Sequence, residues 1–464
     1  MLLYALLQRF LRALVHVFFR QVAVVGLEHV PGEGEGPVIF AGNHPNSLLD
    51  PILVIVTAGR IVHFAAKDVL FRSALLRVFL RGLGAVPVAR RSDHGGAVDN
   101  VDAFDQLYAV LAAGRAVGIF PEGLSHDDSQ LARLKTGAAR IALGASGQHP
   151  GLRVRVVPVG LTYVHPKRFR SRVLVQFGPP IEITPERLEA WRANERDAVG
   201  VLTTDLDREM RALTVNADSW ELLRVLDGVR RLYQPADITL ESRVELARRF
   251  ARVYPDVRDR PDVRQLFDRV SAFLDRLDAA GLTDRDLRRG LRVGDVFARI
   301  LRHIVLVVFW LPLAAPGAIV HVPLATIIRL WGPRFSPRKD VLATTKLVMG
   351  LLGFLLLMFA VPFLLFLRFG SAVAFAVAAM LALSGYATLR VLERMAAVRR
   401  LGITFVRLFA LRKEIESLRV ERAELEALVL RAVERNIPAD MVPLFPDRVR
   451  SLDATPAAPT EQAP

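Results

Sequence analysis

A chain of 464 residues, 52% of them apolar, with 62 Lys and Arg against 47 Asp and Glu for a net charge of +15, is long enough for two or more domains and too apolar to be wholly soluble. The positive charge comes without a zinc finger, an RNP-type motif or a basic stripe interleaved with aromatics, which excludes nucleic acid in favour of anionic lipid headgroups and phosphorylated substrates. The absence of cysteine removes disulfides, thiolate metal sites and a cysteine nucleophile together.

Residues 1–20 place Leu2, Leu6, Phe10, Leu14 and Phe18 near helical spacing, interrupted by Arg9, Arg12, His16 and Arg20 and followed by no small-residue cleavage site. They read as a helix in the membrane interface with its arginines toward headgroups, the alternative being an amphipathic helix packed on the next domain. Strand-like runs follow at Val22–Val25, Val38–Phe40, Val117–Phe120, Val154–Val159 and Val173–Phe177, alternating with helical patterns at Asn100–Ala113 and Thr136–Ala145. That alternation predicts an α/β layered domain over 21–190 with a mostly parallel sheet and functional residues at strand ends. Residues 191–295 are charged, helical and poor in strand signals, with a polar break at Pro255 to Pro261, and read as a helical appendage.

Composition then turns apolar over 296–390. Residues 347–367 and 371–389 are uncharged and each long enough to cross the hydrocarbon core, which predicts a transmembrane hairpin. The run 304–328 contains Pro312, Pro316 and Pro323, so it reads as one kinked span or as two half-helices re-entering one face. Arg329, Arg334, Arg338, Lys339 and Lys346 precede the hairpin and Arg390, Arg394, Arg399 and Arg400 follow it; a re-entrant first segment keeps both groups cytoplasmic, with the catalytic domain. Residues 391–464 read as a cytoplasmic helix and a disordered tail.

Three polar clusters sit at the ends of predicted strands and suggest one composite site. The first is Asn43-His44-Pro45-Asn46-Ser47-Leu48-Leu49-Asp50, which couples an imidazole to a carboxylate able to fix its tautomer. The others are Gly84-Ala85-Val86-Pro87-Val88-Ala89-Arg90-Arg91 and Phe120-Pro121-Glu122-Gly123. On a regular helix six positions turn about 600°, leaving His44 and Asp50 about 120° apart. Pro45 at a first helical position would leave His44 on the preceding loop, free to turn back.

These blocks, with Val157-Pro158-Val159-Gly160-Leu161-Thr162-Tyr163 as a fourth in the same order, resemble the glycerolipid acyltransferase family. The run from Phe120 through His126 to Leu134-Lys135-Thr136-Gly137-Ala138-Ala139-Arg140 is similar to the branch that acylates glycerol 3-phosphate or dihydroxyacetone phosphate. The resemblance is strong over 22–190 and continues thinly at Leu213-Thr214-Val215 and Arg230-Arg231-Leu232-Tyr233. The commonest family pattern has four residues between His and Asp, and this chain has five.

The resemblance implies an O-acyltransferase of phospholipid synthesis, working at a bilayer with anionic headgroups. It takes a glycerol phosphate acceptor and an acyl donor, acyl-CoA or acyl carrier protein, as co-substrate, with no further cofactor and no metal. It implies His44 as general base and Asp50 as its orienter. Arg90 holds the family's phosphate-binding position, with Arg91 beside it, and Glu122 matches the glutamate that helps to hold the glycerol phosphate. Gly123 allows close backbone approach and offers an amide to the oxyanion, with Ser125 and Lys135 as further substrate-binding candidates.

Gly123-Leu124-Ser125-His126-Asp127 resembles a hydrolase nucleophile elbow but lacks its final glycine. His94 near Asp93, and His126 near Asp127 and Asp128, are read as exposed loop residues rather than metal ligands. The alternatives to acylation of glycerol phosphate are acylation of lysophosphatidate, which shares every motif, and a non-catalytic membrane scaffold on an inherited fold.

Overall fold

The computed structural model describes residues 2–89, 100–288, 293–438 and 441–446. Arg90, Arg91, Asp93, His94 and the residues of the tail after 446 lie outside the described residues. The chain divides into two compact units, one comprising Met1–Trp220, Thr239–Arg248 and Ser336–Thr344, the other Glu221–Ile238, Arg249–Phe335 and Thr345–Pro464.

The first unit is built on a sheet of eight strands: β1 Phe19–Val25, β2 Val38–Gly42, β3 Val62–Lys67, β4 Val86–Val88, β5 Ala116–Ile119, β6 Arg155–Tyr163, β7 Ser171–Phe177 and β8 Ile181–Glu182. Their order is β1-β7-β6-β2-β5-β3-β4, with β8 pairing β6. Among the described residues only the β6–β7 and β6–β8 pairings are antiparallel. Every residue of β2 is buried, as a central strand parallel to both neighbours and covered on both faces requires. Pro158 sits inside β6 without costing a ladder bond on its outer side. The partner there changes from β8 at Val156 to β7 at Val159, and the Gly178 N–H donates to the Pro158 carbonyl in the gap.

One sheet face carries α4 (Val101–Ala112), α5 (Gly137–Gln148) and α7 (Glu195–Leu213), in which Leu107, Leu111, Ile141, Leu202, Leu206 and Met210 close the core over Ile39, Val117 and Val156. Helices α1 (Leu2–Phe18), α2 (Leu49–Thr57) and α3 (Ala74–Gly82) complete this part of the unit, and α6 (Pro185–Ala193) precedes α7. Helix α1 buries Tyr4, Leu11, Val15 and Phe18, and the Tyr4 hydroxyl accepts the Val62 N–H at 2.9 Å. Phe18 thus belongs to the core and not to a lipid-facing side. Leu2, Leu3, Leu6 and Phe10 remain on the surface.

The second unit is helical: α8 (Trp220–Tyr233, beginning at the end of the first unit), the rest of α9 (Leu240–Val257), α10 (Pro261–Ala280), α11 (Asp284–Arg288), α12 (Val293–Trp331), most of α13 (Leu342–Phe369), α14 (Ser371–Ala410) and α15 (Arg412–Asn436). The first turns of α9 belong to the first unit, where Leu240 and Val244 pack on Leu174. Pro255 lies inside α9, so the expected break begins only after Val257. Arg276 pairs with Glu414 and Glu421, and Arg269 with Glu424, lacing α10 to α15.

Among the described residues three helices are long and apolar enough to cross a membrane: Gly294–Trp331, Lys339–Phe369 and Ser371–Ala410. The expectation of two half-helices over 304–328 is corrected, because α12 runs unbroken through Pro312, Pro316 and Pro323. A neighbouring helix supports it there. Gly317 lets Ser384 approach closely, Ala314 packs with Ala387 and Val391, and the Thr388 hydroxyl donates to the Ala314 carbonyl at 3.2 Å.

Candidate active site

The loop after β2 is pinned to β6 before it reaches the histidine. The Asn43 amide donates to the Leu161 carbonyl at 3.1 Å, and its Oδ1 accepts the Leu161 N–H at 2.7 Å. His44 follows on the loop. Helix α2 begins only at Leu49, so Pro45 does not open a helix as expected. The turn is made instead by Ser47, held at φ 48°, and by N–H bonds from Leu49 to the Asn46 carbonyl and from Asp50 to the Ser47 carbonyl. This brings His44 Nδ1 to 2.8 Å from Asp50 Oδ2 despite the five intervening residues.

Asp50 is fully buried in the first turn of α2, where the helix N-terminus favours a carboxylate. Its Oδ2 also accepts the Asn46 N–H at 2.7 Å, and its Oδ1 accepts the Tyr163 hydroxyl at 2.6 Å. Burial pushes the Asp50 carboxyl up, and the bonds from His44, Tyr163 and Asn46 pull it back toward ionisation. Burial and the nearby Asp50 charge raise the Tyr163 phenol well above its usual value, so it stays a donor. With three donors converging on Asp50, His44 presents Nδ1–H to it and keeps Nε2 as the basic nitrogen. Among the described residues no protein group bonds that Nε2. The ring stacks on Phe120, centroids 4.1 Å apart and planes 5° from parallel.

Glu122 is turned into the protein. It is 2% exposed, and both oxygens are occupied: Oε1 by the His44 N–H at 2.7 Å, Oε2 by the Ala132 N–H at 2.8 Å and by the His126 ring. Where the resemblance implies a role in holding glycerol phosphate, the structure shows Glu122 tying the β5 turn to the His44 loop. The His126 N–H adds a second tie, to the His44 carbonyl at 3.2 Å. His126 is not an exposed loop residue either, since its side chain is 13% exposed. Its two ring nitrogens face Glu122 and Asp128, and the Glu122 hydrogen bond raises it above the usual histidine value against a smaller opposing effect of burial.

Gly123 adopts φ 76°, and a Cβ there would lie 2.5 Å from the Lys135 ammonium. Its N–H donates to the Phe120 carbonyl at 3.0 Å, so the amide expected to meet an oxyanion is already used. Lys135 is exposed beside this turn, and no carboxylate among the described residues pairs with it. Ser125 is 6% exposed and donates to Asp340. Arg90 and Arg91 lie outside the described residues. The last described residue before them is Ala89, whose N–H and carbonyl both bond the Asn100 side chain at 3.0 Å. Among the described residues no cluster of three or more His, Asp or Glu could hold a metal.

Tyr163, Asn46 and Asn43 complete the site without standing out in the sequence as site residues. The only signal for Tyr163 is its place at the end of the fourth block.

Residues 21–162 match the family model described as Acyltransferase, and residues 225–334 match the Glycerol-3-phosphate acyltransferase 2 C-terminal domain. Glycerol-3-phosphate O-acyltransferase 2 of Saccharomyces cerevisiae is 31% identical over 272 residues, covering 55% of this chain and 37% of that protein. Glycerol-3-phosphate O-acyltransferase 1 of the same yeast is 32% identical over 279 residues, covering 55% and 36%. The chain thus spans less than two-fifths of either yeast protein. A 1-acyl-sn-glycerol-3-phosphate acyltransferase of Borreliella burgdorferi is 32% identical over 123 residues, covering 26% of this chain and 46% of that protein. The chain thus carries an acyltransferase domain at 21–162 and, behind it, a segment that matches the C-terminal domain of glycerol-3-phosphate acyltransferase 2.

Proposed function

We propose that this chain is a membrane-bound O-acyltransferase that moves a fatty acyl group from acyl-CoA or acyl carrier protein to a hydroxyl of glycerol 3-phosphate or dihydroxyacetone phosphate. The observation that carries the reading is the His44–Asp50 pair, locked at the end of a central strand with Nε2 left unbonded. An alcohol is too weak an acid to attack a thioester unaided. His44 Nε2 takes the hydroxyl proton as the oxygen bonds to the thioester carbonyl carbon. The tetrahedral adduct collapses with cleavage of the C–S bond, and the imidazolium returns its proton to the departing thiolate. Asp50 steadies the imidazolium between these steps. No acyl-enzyme forms.

Lys135, and in this reading Arg90 and Arg91, supply cations for the acceptor phosphate. The glycerol phosphate acceptor is supported by the names of the two yeast relatives, which match over twice as many residues as the Borreliella protein. That protein keeps lysophosphatidate as the second reading. The bilayer is the third partner, supported by the three long apolar helices.

Purified full-length protein in detergent, given glycerol 3-phosphate, dihydroxyacetone phosphate and lysophosphatidate separately with a labelled acyl thioester, tests the assignment. Product from either of the first two at the higher kcat/KM is expected. Product from lysophosphatidate alone overturns the acceptor, and product from none overturns the activity. Arg90→Ala is expected to raise the acceptor KM about tenfold or more, the loss of one charge-assisted fork, with the donor KM little changed.

A further inference from the structure

The stretch joining α12 to α13 belongs to the same compact unit as the acyltransferase domain, although it lies more than 200 residues beyond the Phe-Pro-Glu-Gly turn. It grips that unit at two places. Ser125 donates to Asp340, and Arg338 Nη2 donates to both Ser125 Oγ at 3.0 Å and Asp340 Oδ2 at 2.9 Å. Ser125 and Asp340 are 6% and 5% exposed, so this is a buried contact and not a chance surface pairing. Thr344 meets the other half of the site. Its Oγ1 accepts the Leu48 N–H at 3.2 Å and lies 3.5 Å from the Asn46 carbonyl.

The His44 loop needs such an anchor. Ser47 is held at φ 48°, a left-handed conformation that a residue other than glycine keeps only when its surroundings impose it. Leu48 precedes the first residue of α2, so its N–H has no partner within that helix. Thr344 satisfies that donor and fixes the backbone on the far side of Ser47. Asn46 and Asp50 fix it on the near side, through the N–H that shares Asp50 Oδ2 with His44.

We propose that Arg338–Thr344 is a positioning element of the active site. Thr344 clamps the loop that carries His44, and Asp340 with Arg338 clamps the turn that carries Glu122, so the two halves keep the register that lets His44 meet Asp50. The residues act through others and need not touch the substrates. The kinetic part of the inference rests on the acyltransferase reading, and the geometric part does not.

Full-length Thr344→Val, Thr344→Ala and Thr344→Ser are compared with the unaltered chain in detergent by two measurements. The first is the rate at which diethyl pyrocarbonate modifies His44, read by mass spectrometry with His149 as internal reference. Loss of the hydroxyl is expected to raise the His44 rate about fivefold, the worth of one hydrogen bond, with His149 unchanged and Thr344→Ser near the unaltered rate. The second is turnover, where Thr344→Val and Thr344→Ala are expected to lose roughly tenfold in kcat with both KM values within about twofold, and Thr344→Ser to recover it. Unchanged His44 reactivity in both variants lacking the hydroxyl overturns the clamp. So does a rise shared equally by His149, which marks general loosening. If the unaltered chain transfers no acyl group, the functional reading fails while His44 reactivity still decides the clamp.

Discussion

His44 Nδ1 and Asp50 Oδ2 meet at 2.8 Å across a loop bent at Ser47, and the same Asp50 oxygen accepts the Asn46 N–H that closes the loop. The pair is therefore one hydrogen-bonded ring of backbone and side chains, not two residues that happen to lie close. His44→Ala removes the base and is expected to lower turnover at least about 100-fold in a folded protein. Asp50→Asn is expected to lose less, roughly tenfold or more, because the amide oxygen can replace Oδ2 toward both N–H donors while its NH2 faces Tyr163. Steady-state rates and thermal unfolding of both variants check this. A loss from Asp50→Asn as large as that from His44→Ala, with the fold intact, sinks the orienting role.

His126 offers a pH test that does not depend on substrate. Its hydrogen bond to Glu122 raises its folded-state pKa above the ordinary 6.5, so the folded protein holds the proton where the unfolded chain releases it. That contribution is complete below about pH 6.5 and is lost as pH rises through the raised value. The Tm is expected to fall over this window in the unaltered protein and to change less in His126→Gln, which keeps a donor toward Glu122 without the charge. Parallel Tm curves for the two proteins between about pH 6 and pH 9 would reject the linkage.

The sheet is legible where strands are central. β2, β5, β6 and β7 show as Val- and Ile-rich runs because both their faces are covered. β3 is diluted by His63, Ala65 and Ala66, and β4 is three residues around Pro87, so neither gives a period to read. The site is legible as chemistry and not as wiring. A glutamate in a Phe-Pro-Glu-Gly turn invites a ligand role, and only the positions of the His44 N–H, the Ala132 N–H and the His126 ring show that its oxygens already have partners. Tyr163 reaches Asp50 from 113 residues away and Thr344 reaches Leu48 from 296, separations over which periodicity and spacing carry no information.

Helix α1 serves two environments. Tyr4, Leu11, Val15 and Phe18 hold it to the sheet, while Leu2 and Leu6 are 87% and 63% exposed on the other side. Removing residues 1–20 would therefore open the core, at about 1.5 to 3 kcal/mol for each large apolar side chain lost, and should reduce turnover with every donor alike. Leu6→Gln with Phe10→Gln leaves the packed face untouched. It is expected to weaken contact with the bilayer and so to lower turnover with long-chain donors more than with short-chain ones in liposomes. Equal losses at both chain lengths, at matched folded protein, would count against a membrane role for this face.

The hydrogen bonds between Ser125, Arg338 and Asp340 also constrain the path of the chain through a bilayer. Ser125 precedes α12 and Asp340 follows it, so a single complete crossing by α12 would put the two on opposite sides of the membrane and break a buried contact. With that contact kept, the unbroken α12 cannot be a complete crossing, and Ser125 and Asp340 are expected on one face. Helix α13, 28 residues and about 42 Å long, is long enough to reach the other face before Gly370 and α14. The chain has no cysteine, so single replacements report position directly. In sealed vesicles a membrane-impermeant maleimide is expected to label Gln148→Cys and Lys339→Cys from the same side, and Ser371→Cys from the opposite one. Labelling of Lys339→Cys and Gln148→Cys from opposite sides would make α12 a full crossing and would remove the contact between Asp340 and Ser125 from the folded enzyme.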